Sequence, residues 1–190
     1  MWNDLARHTV MLVDLRRERL DDHGAVRDLH LVSFGDQGEV VADLVDDLRR
    51  ELSADVGASL VAMVEGEIVG HVMLTRSLLD APRQLVDVQV LSPVAVLPEL
   101  QGQGIGSTLI RAALVIMAER SVPVVFLEGP PAYYSRFGFG PGAEQGFRKP
   151  SLRIPDAAFQ ALRLPAFESW MSGTLVYSDT FWRHDAVGLR

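Results

Sequence analysis

The sequence predicts an α/β protein of the α+β kind, with helices laid against a sheet whose first strands run antiparallel. Three observations carry this expectation. Two apolar runs are joined by Glu65-Gly66-Glu67, a short glycine-containing turn that reads as a hairpin. Apolar residues recur at helical spacing over 39–52 and 103–120. A valine-rich strand passes through a glycine turn straight into the second of these helices.

Taken in order, a first strand is expected around Val10 to Leu15, with Asp21 and Asp22 capping a helix over Ala25 to Phe34. In the helix expected from Glu39 to Leu52, Val40, Val41, Leu44, Val45 and Leu48 form the buried stripe and the aspartates and arginines face away. The hairpin strands are Ser59 to Val64 and Ile68 to Thr75. A loop through Asp80-Ala81-Pro82-Arg83 leads to a strand from Leu85 to Leu97, interrupted at Ser92-Pro93, because proline cannot donate to a ladder. The helix over Gln103 to Arg120 repeats Ile105, Leu109, Ala113 and Met117 every fourth position, and Pro123 ends it. A short strand from Val124 to Leu127 and a helical turn over Tyr133 to Phe137 follow. The remainder is loop-rich, with strands at Ala161 to Leu164 and Thr174 to Tyr177. No internal repeat or linker divides the chain, so residues 1–190 are expected to form a single domain.

Composition narrows the function classes. With 48% hydrophobic and 23% charged residues the chain can bury a core. A net charge of −7 argues against broad nucleic-acid binding, so an anionic ligand must be held locally. Zero cysteines exclude disulfides, thiolate zinc sites and a thioester on the protein. Histidines at 8, 23, 30, 71 and 184 show no metal-ligand spacing, so no metal is expected. The apolar patch Val10 to Val13 is too short for a signal segment and no run could span a membrane, which gives a cytoplasmic expectation.

The most informative stretch runs from Val94 to Ser107. Helix-starting amides lack internal partners and lie at the positive end of the helix dipole, and glycines let a phosphate approach them. A Walker loop fails for want of a lysine. A dinucleotide fingerprint misses its third glycine at Ser107 but stays open as a near-miss, because Glu128 stands about 20 residues on, where a ribose ligand belongs; too little alternating strand and helix follows to favour it. A plain tight turn remains open on this segment alone.

Gln101, Gly104 and Gly106 satisfy Gln/Arg-x-x-Gly-x-Gly, with Val96 and Pro98 upstream, and Pro131-Ala132-Tyr133-Tyr134-Ser135-Arg136-Phe137-Gly138-Phe139 follows one helix and one strand later. On these motifs, from about Phe34 to Phe181, the chain resembles the GNAT superfamily of acetyl-CoA-dependent N-acetyltransferases, in particular its bacterial branch of predicted acetyltransferases. The resemblance implies a mixed, mostly antiparallel sheet splayed between strands 4 and 5 and flanked by helices. It implies that backbone groups of Val94 and Val96 contact pantetheine, and that Gln101, Gly102, Gln103, Gly104, Ile105, Gly106 and Ser107 hold the pyrophosphate of acetyl-CoA.

By the same resemblance Tyr134 protonates the leaving thiolate. The other three aromatics of Tyr133, Tyr134, Phe137 and Phe139 are read as packing. A glutamate common on the fourth strand is missing, since Val90, Leu91, Ser92 and Pro93 stand there, and Glu128 is the carboxylate favoured as base. Phe34 and Glu39 are expected along the acceptor wall, with His71 nearby. Pro130-Pro131 replaces a polar asparagine. The implied activity is acetyl transfer to a primary amine of a small molecule or a protein, with a homodimer as the assembly common among relatives. A non-catalytic acyl-CoA-binding module and, far behind, an NAD-dependent oxidoreductase are the competing readings.

Overall fold

The computed structural model describes residues 12–53 and 55–188. Among these, all the strands join one sheet in the order β1-β2-β3-β4-β5-β8-β6, with β9 pairing β3 and β7. The chain runs β1 (Asp14–Arg17), α1 (His23–Ser33), α2 (Gly38–Arg49), β2 (Ala58–Val64), β3 (Glu67–Asp80) and β4 (Leu85–Val96). It continues through α3 (Ile105–Glu119), β5 (Val124–Glu128), α4 (Pro131–Tyr134), β6 (Gly140–Pro141), β7 (Phe147–Arg148), β8 (Phe159–Arg163), β9 (Gly173–Val176) and α5 (Asp179–Arg183). Pairing is antiparallel except at β4–β5 and β7–β9. A doubly wound parallel sheet is therefore absent from the described residues, and the dinucleotide-dependent reading falls with it.

Successive strand residues point to opposite faces of the sheet. Val124 and Phe126 of β5 pack into the core under α1, α2 and α5, with Val26, Leu44, Val45, Leu48 and Phe181. Val125 and Leu127 pack on the other face against the α3 stripe Ile105, Leu109, Ala113 and Met117. Each fully buried leucine or isoleucine there contributes roughly 1.5 to 3 kcal/mol.

Several boundaries differ from expectation for physical reasons. The first strand lies at 14–17, and positions 10 and 11 fall outside the described residues. β3 extends to Asp80 because β4 pairs with it as far as Asp80–Leu85, and β9 pairs with Leu78, Leu79 and Asp80 on its other edge. Asp22 occupies the position before α1 but does not cap it with its side chain. Its carboxylate turns back to take both terminal nitrogens of Arg16, at 2.5 and 2.8 Å, and the amide of Arg19 at 2.6 Å. A forked, charge-assisted pair outcompetes a single cap bond. At Pro93 the expected interruption takes the form of a register shift in the β3–β4 ladder opposite Val72 and Leu74.

The decisive irregularity lies between β4 and β5. Their parallel pairing is confined to Gln89 with Val125 and Val90 with Phe126. β5 is meanwhile paired along its whole length with β8 on its other edge. Beyond Val90 the two strands part, which opens the sheet from Leu91 to Val96.

A buried polar chain ties α1 to the sheet on the α1/α2 face. His30 and His71 are both 0% exposed. Ser59 gives its single hydroxyl proton to Glu18, so its oxygen accepts from His71 Nε2 at 2.8 Å. His71 Nδ1 then accepts from His30 Nε2 at 2.9 Å, and His30 Nδ1 is left buried without a partner among the described residues. Arg49 closes the chain on Glu18 at 2.7 Å. Burial, and then the neighbouring His71, pushes His30 down to about 3. Burial likewise lowers His71. For Glu18 burial acts upward but is outweighed by His71, Arg49 and Ser59, which hold the carboxyl well below its ordinary range.

Candidate functional site

The opening in the sheet leads into a groove of about 410 Å³ on the α3 face. Val94 and Val96 form one wall. Gln101, Gly102 and Gly104 to Ser107 form its end, and Pro130, Tyr133, Tyr134 and Arg136 form the other side. The site residues expected from the sequence are thus gathered in one place, with two exceptions. Gln103 turns its side-chain amide to the carbonyl of Glu99 at 3.4 Å and does not line the groove. Glu128 lies elsewhere, as described below.

The turn is built to leave amides free. Gly102 and Gly104 have φ of +76° and +91°, the left-handed region where a side chain is strained, and a Cβ at either would meet no atom within 4 Å. Gly104 is the residue before α3, and no side chain caps that end. The first amides of α3 therefore face open space at the positive end of the dipole, which suits a phosphate group. Arg136 adds a cation, lying 4.5 Å above the ring of Tyr133. A Cβ at Gly106 would stand 3.0 Å from the Tyr133 hydroxyl, so the groove is narrow there.

The exposed strand end is held from two sides. Leu97 donates its amide to Val69 in the β3 ladder, so the backbone groups of Val96 point off that ladder toward the opening. The Val96 carbonyl accepts from Ser33 of α1 at 3.1 Å and from the side chain of Gln101 at 3.0 Å. Gln101 thus braces the strand end as well as lining the groove.

Tyr134 packs its ring against Gly129, where a Cβ would come within 2.3 Å of it. Tyr133 and Phe139 contact it edge-on at 4.9 and 6.0 Å between centroids. Burial, with a smaller contribution from Tyr133, pushes the phenol up to about 12, so it stays protonated. Phe137 and Phe139 are buried in the α3-side core, whereas Tyr133 shares the groove with Tyr134.

Glu128 follows Leu127 on β5, and the pleat turns it to the opposite face. It lines a small cavity of about 100 Å³ with Val90, Ser92, Tyr177 and Phe181. The Tyr177 hydroxyl donates to Oε1 at 2.7 Å and the Gly188 amide to Oε2 at 3.0 Å. Burial outweighs these bonds and raises the carboxyl above its ordinary value. His71 is a satisfied core histidine, Phe34 stacks on His30 at 5.7 Å, and Glu39 is exposed. Sequence reasoning missed Ser33, Gly129, Arg136 and Tyr177. Arg136 lies inside the aromatic block and Gly129 just before it, whereas nothing local marks Tyr177, which is 49 positions from its partner. No group of three or more potential metal ligands occurs among the described residues.

A mixed sheet opened beside a strand, glycine turn and helix, with a tyrosine over the opening, defines an acyltransferase architecture. Residues 14–142 match the family described as Acetyltransferase (GNAT) domain. The chain belongs to the GNAT acetyltransferase family. It is 36% identical over 130 residues to the uncharacterized N-acetyltransferase YjhQ of Escherichia coli K12, spanning 68% of this chain and 71% of that one. It is 34% identical over 131 residues to YhbS of the same strain, also an uncharacterized N-acetyltransferase, spanning 67% and 74%. The crystal structure of Escherichia coli YhbS in complex with CoA superposes with a TM-score of 0.80 at 28% identity, covering 91% and 93% of the two chains. A GNAT family acetyltransferase from Brucella melitensis in complex with acetyl-CoA gives 0.70 at 28% identity, covering 90% and 99%.

Proposed function

We propose that this acetyltransferase takes acetyl-CoA in the α3-side groove and passes the acetyl group directly to a primary amine presented from the α1/α2 face. The observation that carries this reading is the parting of β4 from β5 beyond Val90 and Phe126, with the groove lined by Val94 and Val96 of β4 and the Glu128 cavity lined by Val90 and Ser92 of the same strand. When bound, acetyl-CoA supplies the activated acyl group. The amides opening α3, with Arg136, hold phosphate, and the edges of Val94 and Val96 align the pantetheine arm. Tyr134, neutral throughout the physiological range, gives its proton to the departing thiolate on one face. Glu128, whose raised pKa makes it a better base than a solvated carboxylate, takes the proton of the attacking amine on the other. Tyr177 and Gly188 each donate to one oxygen of Glu128, so the amine or a bridging water uses a remaining lone pair of the carboxylate within the cavity that Ser92 also lines.

The joining of all described strands in one sheet supports reading the chain as one acyltransferase domain. No helix of the described residues is long and apolar enough to cross a membrane. With the absence of cysteine, this supports a place in the cytoplasm.

The test is thiol release from acetyl-CoA against a panel of primary amines, run with the wild type and Tyr134→Phe. Turnover with at least one amine is expected, with kcat about 100-fold lower in the variant and acetyl-CoA affinity retained. Equal kcat in the two proteins would remove Tyr134 from the chemistry. No thermal stabilisation by coenzyme A or acetyl-CoA would overturn the groove assignment.

A further inference from the structure

The last residue of α1 is bonded to the strand that borders the groove. A serine hydroxyl inside a helix commonly bonds back to a carbonyl one turn earlier in its own helix. Ser33, which ends α1, instead donates to the carbonyl of Val96, 63 positions away, at 3.1 Å. Gln101 donates to the same oxygen at 3.0 Å from the glycine turn. A backbone carbonyl has two lone pairs, and the protein itself takes both.

Two further contacts fix where Ser33 and Val96 stand. His30 lies one turn before Ser33 and so on the same face of the helix. It is fully buried and bonds to His71, which stands opposite Ala95 in the β3–β4 ladder, beside Val96. On the other side Leu97 donates its amide to Val69. Val96 is therefore held through both neighbours by β3 and α1, and through its own oxygen by α1 and the turn. Its N–H, directed off the β3 ladder, is the backbone group left to meet a ligand in the groove. An edge ordered before binding spares the ligand the cost of ordering it.

We propose that Ser33 is a positioning residue for acetyl-CoA, acting through Val96. With Gln101 it saturates the carbonyl, so the end of β4 presents a fixed N–H and no free acceptor to the cosubstrate. This rests on the reading of the groove as the acetyl-CoA site. It makes α1, a wall of the face assigned to the amine, part of the grip on the acyl donor as well.

The test is isothermal titration of wild type, Ser33→Ala and Ser33→Thr with acetyl-CoA, together with the carbonyl 13C resonance of Val96 in each protein without ligand. Ser33→Ala should bind about three- to tenfold more weakly, the effect of one neutral hydrogen bond, and Ser33→Thr, which keeps the hydroxyl, within about twofold of wild type. The Val96 resonance should shift in Ser33→Ala and hold its position in Ser33→Thr. A purely structural staple would lower the melting point on removal and leave the affinity of the folded protein unchanged. Wild-type affinity in Ser33→Ala, tighter binding through a carbonyl set free, or an unmoved Val96 resonance overturns the proposal. So does a Ser33→Thr that keeps the wild-type resonance yet binds as weakly as Ser33→Ala. A wild type that binds no acetyl-CoA overturns the groove reading, and this inference falls with it.

Discussion

Acid should strip stability from this protein through His30, and the amount follows from its burial. At neutral pH His30 is uncharged in both the folded and the unfolded chain and contributes no pH dependence. Its folded value is held down at about 3, against an ordinary 6.5. Between those values the unfolded chain binds a proton that the folded chain refuses, so stability falls as the pH drops below about 6.5. Each unit costs about 1.4 kcal/mol, so near pH 4.5 the loss from His30 is roughly 2 to 3 kcal/mol. His71, also lowered by burial, acts in the same direction. Glu18 is the opposite type of group with the same sign. Its lowered pKa stabilises the fold above the ordinary carboxylate range, and that contribution disappears only at still lower pH. His30→Gln isolates the first contribution, because the amide nitrogen can still donate to His71 Nδ1 but does not titrate. Urea unfolding followed by circular dichroism, at about pH 7 and about pH 4.5, measures the loss for each protein. The wild type should lose roughly 2 to 3 kcal/mol more than the variant across that interval. Equal losses, with both proteins folded at the start, would refute the reasoning.

Gly129→Ala should act as a remote lesion of Tyr134. The new methyl would meet the ring at 2.3 Å, so kcat should fall toward that of Tyr134→Phe while coenzyme A still raises the melting point. Glu128→Gln tests the base: the wild-type kcat/KM should decline as the pH falls through a value above the ordinary carboxylate range, and the variant should be slower with that limb flattened. Gly104→Ala forces a side chain into φ +91°, at a cost of about 1 to 2 kcal/mol, and should raise the KM for acetyl-CoA about tenfold with less change in kcat.

The local signals were legible in the sequence where one element sufficed to produce them. Helical spacing marked α2 and α3, Glu65-Gly66-Glu67 marked the β2–β3 turn, and the run from Val94 to Ser107 marked the groove. What escaped depends on contacts between distant segments. The second edge of β3 at Leu78 to Asp80 is covered by β9, from far along the chain, and the His30–His71 pair joins positions 41 apart with no shared pattern. The partners of Glu128 come from Tyr177 and Gly188, in a region whose short strands carry little periodicity. Asp22 looked like a cap because aspartate is common there, and only the folded chain reveals that Arg16 is the stronger claimant.

The pleat of β5 has a further consequence for how such a protein can diversify. Leu127 and Glu128 are neighbours in the chain yet face different compartments, one shared with α3 and the other with Tyr177. If the proposed assignment holds, substitutions along the second compartment can explore new acceptors while the residues proposed to grip the nucleotide stay under separate selection. A lineage could change what it acetylates by drift on one side of a single strand, without renegotiating how the acetyl donor is held.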